Sequence, residues 1–147
     1  MKRLISTLSI LSTFSIFALV TVSFCSVAGA AELKAASQTG NARISLNALT
    51  TPLKQGKNTL TLKVVDAKTG KPLDAKEVKV ETTMSAKEME TMGMKGMGDG
   101  TARTQVVSAG KPGTFSVKTS LPFGGNWQMK ATLVQPATTA VFDVPVK

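Results

Sequence analysis

Residues 58–66 read Asn58-Thr-Leu-Thr-Leu-Lys-Val-Val-Asp66. Leu60, Leu62 and Val64 alternate with Thr59, Thr61 and Lys63, a period of two that leaves one face apolar and the other wet. The spacing predicts a β-strand covered on one side by a core. The same alternation extends in both directions. Upstream, Ile44, Leu46 and Ala48 lie opposite Arg43, Ser45 and Asn47, and Pro52, Gln55 and Gly56 supply the intervening turn. Downstream, the segment from Asp66 through Gly70 to Pro72 has turn chemistry. Val78 and Val80 then alternate with Glu77, Lys79 and Glu81.

Four further strands follow: Ala102 to Val107, Phe115 to Leu121, Trp127 to Leu133, and Phe142 to Val146. They are separated at Gly110–Gly113, Pro122–Asn126 and Gln135-Pro136. Seven short strands at regular spacing predict an all-β fold, a seven-stranded antiparallel immunoglobulin-like β-sandwich over residues 41–147. A seven-strand open barrel is the alternative. A short helix and a Met/Gly-rich loop fall between the third and fourth strands. Strands reverse at each connection, so this loop and the Phe123–Asn126 connection are expected at the same end.

The chain opens with a different composition. Lys2 and Arg3 precede an apolar run from Leu4 to Val22, and Ala28-Gly29-Ala30 offers a small-residue cleavage site. Residues 1–30 read as a signal peptide and 31–40, small and polar without periodicity, as a tether. Export to the periplasm follows, with an extracellular or N-terminally membrane-anchored form as the alternative. Once cleaved, the chain would have no membrane span and is expected to be a monomer. Cys25, the one cysteine, would leave with the leader.

The net charge is +9, of which Lys2 and Arg3 contribute two, and the cations are spread singly with no run. Tyrosine is absent and there is one tryptophan, so a stacking platform for bases is missing and nucleic acid is excluded as a partner. Histidine is absent and no cysteine remains after cleavage. These absences exclude a histidine-dependent triad or a conventional zinc site, and the expectation is no enzyme.

Five of the seven methionines fall between Met84 and Gly100. Ser85-Ala-Lys-Glu88 matches a capping box: Ser85 would cap the Glu88 amide while Glu88 reaches back to Ser85. Met84 and Met89 would form the accompanying hydrophobic staple. A helix of about two turns, ended by a left-handed Gly93, would employ Met84, Met89 and Met92 in packing. Met94 and Met97, in the glycine segment, have no packing job in that reading. Thioethers are soft, uncharged donors that favour Cu(I) or Ag(I). Met92, Met94 and Met97 are therefore the candidate ligands, with Met89 as a further one. Glu88, Glu90 and Asp99 are nearby oxygen donors. Trp127 reads as a core anchor, or as a ring placed against a bound cation. The other reading of the stretch is an adaptable contact surface for an envelope protein.

The turn motifs Gly56-Lys-Asn58, Gly70-Lys-Pro72, Pro112-Gly113-Thr-Phe115 and Leu121-Pro-Phe-Gly-Gly-Asn-Trp127, in this order around the methionine stretch, resemble the YtkA-like domain, which is related to the FixH family. The resemblance implies an immunoglobulin-like domain of the cell envelope, found alone or joined to heavy-metal efflux and copper-handling proteins, with no established enzymatic activity. A methionine-rich stretch often stands at this place in the family. An envelope metal-transport or oxidase-assembly protein is the partner it implies. The lack of histidine departs from the mixed Met/His coordination of related copper proteins and argues against Cu(II).

Overall fold

The computed structural model describes residues 30–147. Apart from Ala30, the segment read as a signal peptide, with Cys25, lies outside the described residues. Nine strands and one short helix follow one another: β1 (Ala31–Leu33), β2 (Ala35–Gly40), β3 (Ala42–Ala48), β4 (Gly56–Asp66), β5 (Val78–Met84), α1 (Ala86–Thr91), β6 (Gly100–Lys111), β7 (Thr114–Leu121), β8 (Gly125–Leu133) and β9 (Thr138–Val146). All strand pairings are antiparallel. A front sheet runs β1-β3-β4-β7-β6 and a back sheet β6-β5-β8-β9-β2, so the chain is an immunoglobulin-like β-sandwich.

One strand belongs to both sheets. The start of β6 pairs with β5 (Met84 opposite Gly100, Thr82 opposite Ala102), and from Arg103 onward it pairs with β7. The crossing is tied by hydroxyls: Thr104 Oγ1 donates to Thr82 Oγ1 at 2.8 Å and lies 3.2 Å from Thr119 Oγ1. Thr82 and Thr119 are buried, and this chain satisfies their polar atoms inside the core.

The segment expected to be a tether is β1 and β2, which is why there are nine strands where periodicity shows seven. β1 pairs with β3 at the edge of the front sheet, and β2 pairs with β9 at the edge of the back sheet. The chain changes sheets at Lys34, with Leu33 as the buried anchor. All six residues of β2 are exposed, so no alternation of side chains could signal it. Its strand character comes from hydrogen bonding to β9 alone.

Elsewhere the alternation holds. Leu60, Leu62 and Val64 are buried, as are Ile44, Leu46 and Ala48 on β3 and Trp127, Met129, Ala131 and Leu133 on β8. Val78 and Val80 are only half-buried; on β5 the deep positions are Thr82 and Met84. Connections 49–55, 85–99 and 122–124 gather at one end, because β3, β5 and β7 finish there and β4, β6 and β8 begin there. Among the described residues no helix is long and apolar enough to cross a membrane.

Candidate functional site

The methionine end begins where β5 stops. Met84 continues the inward phase of Thr82 and is fully buried. Ser85, with φ −64° and ψ 149°, turns the chain out of the strand and caps α1. Its Oγ accepts from the Glu88 amide at 3.3 Å. A second cap comes from farther along the chain: Asp99 Oδ1 accepts from the Ala86 amide at 2.7 Å. Two oxygens thus hold the first turn of a helix too short to persist alone.

The returning half of the capping box is replaced. Glu88 Oε1 accepts from the Asn126 amide at 3.0 Å and from Asn126 Nδ2 at 3.2 Å, joining α1 to the start of β8. Asn126 offers two donors to one carboxylate oxygen, where the Ser85 amide would offer one. This contact makes explicit the shared end that strand parity implies. Glu88 and Asp99 thus each accept from a main-chain donor, whereas among the described residues Glu90 is exposed with no such bond.

The helix ends on a Schellman motif. Gly93, at φ +85°, donates to Glu90 O, and the Met94 amide donates to Met89 O, both at 3.0 Å. This motif brings the residue after the glycine back over the last helical turn, and Met94 is half-buried against the core. Met94 therefore has a packing role that sequence reasoning did not assign to it. Gly96 and Gly98 also take positive φ, and the loop they form carries Met97, which is 68% exposed.

The thioethers are distributed in depth. Met84 and Met89, the two residues of the expected staple, are both buried and form the floor. Met92 is partly open at 36% exposure. Two glycines admit this packing. A β-carbon on Gly100 would lie 3.2 Å from Met89 Sδ and 3.6 Å from Met84 Cβ. One on Gly125 would lie 3.2 Å from Met84 Cε and 3.4 Å from Met92 Sδ. Met84 thus runs between Met89 and Met92. Met97 stands apart on the loop.

Trp127 is fully buried, and its indole N–H donates to Phe123 O at 3.1 Å. Extending the β5–β8 register one step beyond Thr83 and Gln128 sets Trp127 across from Met84. The ring belongs to the core beneath the floor and is not presented to the exposed loop. Among the described residues no three His, Cys, Asp or Glu side chains come together as a candidate metal group. The soft donors at this end are the thioethers. Sequence reasoning missed Asn126 and the two glycines; the Gly124-Gly125-Asn126 turn was visible, but its contact with Glu88 joins residues 38 apart in the chain.

The fold and this end define a class: an immunoglobulin-like domain whose β5–β6 connection is a capped helix and a methionine-rich loop. The chain belongs to the YtkA-like family, whose model matches residues 34–132. The match begins at Lys34, between β1 and β2, and takes in β2. Among solved structures, the filamin domain of Lin-41 is similar at 13% identity and a TM-score of 0.44, over 74% of this chain and 98% of that one. A search of the curated proteins finds no match.

Proposed function

We propose that this chain is an exported envelope module that captures Cu(I) or Ag(I) at its methionine end and passes it to a metal-transport or oxidase-assembly protein. The observation that carries the reading is the graded exposure of five thioethers at one end: two buried, one half-buried, and Met92 and Met97 open. Soft, uncharged sulfur suits a monovalent d10 ion, and a low coordination number needs only two or three donors. Met92 and Met97 are the first contacts, and Met94 lies between them in sequence. Met89 is a floor residue, and Trp127 contributes by packing. Loop closure through Gly96 and Gly98 would carry Met97 toward Met92. No constellation for acid–base or nucleophilic work is part of this reading.

Anaerobic titration of Cu(I) against a strong competing chelator tests it. The expected result is one ion bound by the wild type. Binding should be lost in the Met92→Leu, Met94→Leu, Met97→Leu triple variant, whose circular dichroism should remain that of the folded protein. Equal affinity in the two proteins would refute metal capture.

A second reading has its own support. Among the described residues, four of the six exposed large apolar side chains, Leu49, Met92, Met97 and Phe123, stand at this same end. Such a patch suits docking on an envelope protein with no metal. In that case Leu49→Ser and Phe123→Ser would abolish partner capture, and the competing chelator would retain all the Cu(I).

A further inference from the structure

The cations that lie scattered in the sequence are sorted by the fold. On the outer face of the front sheet stand Arg43 (β3), Lys57 and Lys63 (β4), Lys118 (β7) and Arg103 (β6), with Glu32 on the edge strand as the carboxylate of that face. Among the described residues none of these five cations is in an ion pair. The back sheet differs. There Glu81 stands opposite Lys130 in the β5–β8 register, Asp143 accepts from Gln128, and nearby Glu77 holds Lys79 at 3.1 Å. One face is basic and the other balanced.

Three of the front-face cations converge. Lys57 and Arg103 both sit opposite Ser120, one on each side. Thr59 and Gln105 flank Lys118 in the next row of the same face. These side chains line a shallow cleft of about 280 Å³. Strand spacing puts the Lys57 and Arg103 backbones about 10 Å apart, with Lys118 about 7 Å further along the strands. The hydroxyls and amides between them are donors that complement an oxyanion.

We propose that this cleft binds a linear polyanion, a chain of phosphate or carboxylate groups laid across β4, β7 and β6 and continuing toward Lys63 and Arg43. A single exposed ion pair contributes little in water, so an isolated phosphate is held weakly and affinity requires several charges on one chain. The sheet is twisted, which suits a flexible polymer better than a planar bilayer. Among the described residues Val107 is the one large apolar side chain exposed on this face, leaving little to insert into lipid. The buried Trp127 offers no stacking surface for bases, so the chemistry recognised is the charged chain itself. This site is distinct from the methionine loop and does not depend on metal capture.

The test uses the whole exported chain and a short-chain inorganic polyphosphate, followed by calorimetry at low and at physiological salt. A triple Lys57→Gln, Arg103→Gln, Lys118→Gln variant is compared with Lys76→Gln, Lys79→Gln, Lys130→Gln. Both lose three positive charges from exposed positions, but the second set leaves the front face intact. The expected result is wild-type binding that weakens with salt, falls roughly tenfold or more in the front-face variant, and changes less than about twofold in the control. Equal weakening in both variants would reduce the effect to net charge and overturn the site. Absence of wild-type binding would overturn it outright. Binding to phosphatidylglycerol vesicles without binding to soluble polyphosphate would replace it with a membrane surface.

Discussion

Gly125 lies where α1 and the methionines pack against the start of β8. It holds φ +108°, and the space beside it is taken by Glu88 Oε1, Met84 Cε and Met92 Sδ. Gly125→Ala would add a backbone penalty and a tight contact, a combination expected to cost about 1–3 kcal/mol in urea denaturation. Gly96→Ala is the matched control. It also has positive φ, at +77°, but nothing lies within 4 Å of the added carbon, so it should cost distinctly less. Equal losses would mean that α1 is loosely seated on β8. Composition and spacing distinguish the packing methionines only in part. Met84 and Met89 were legible from the staple pattern, whereas the burial of Met94 depends on the six-to-one bond that folds the chain back after Gly93.

Local elements were read more securely where their bonds are local. Ser85 as cap and Gly93 as terminator of α1 follow from residues within a few positions of each other. The β4–β5 turn is another such case. Asp66 Oδ1 accepts from the Thr69 amide at 2.7 Å, from Thr69 Oγ1 at 3.0 Å and from the Lys68 amide at 2.9 Å. These donors, the Thr69 amide first among them, hold the Asp66 carboxyl below the usual carboxylate range. A carboxylate with a lower pKa in the fold than in the unfolded chain stabilises above its unfolded value of about 4, and that contribution is lost as pH falls further. The melting-temperature gap between wild type and Asp66→Ala should therefore be open at neutral pH and close toward the acid end. A gap independent of pH would mean that the ionised form is not what holds the turn. The Glu88–Asn126 contact, by contrast, joins two elements distant in sequence, and no local pattern announces it.

Across the whole molecule, residues 31–40 are the largest departure from expectation. β1 and β2 cover the free edges of β3 and β9, one in each sheet. Starting the chain at Asn41 would remove the buried Leu33 and uncover both edges. The expected loss is at least the roughly 1.5–3 kcal/mol that accompanies burial of one leucine, with concentration-dependent association through the bare strands. A truncated chain as stable and as monomeric as the full one would restore the tether reading. β6, which serves both sheets, and the threonine chain at its crossing were equally invisible beforehand, because a strand that changes partners keeps the same alternation.

What the sequence by itself determined is the class of fold, its inward faces and the local caps and turns. Each of these rests on side chains two to four positions apart, where periodicity and hydrogen-bonding chemistry act directly. What only the tertiary structure decided are relations between distant segments. These include the edge strands made by main-chain bonding alone, the seating of α1 on β8, the depth of each thioether, and the division of the molecule into a basic face and a balanced one. Isolated lysines spread along a chain carry no spatial signal until strand register sets them side by side.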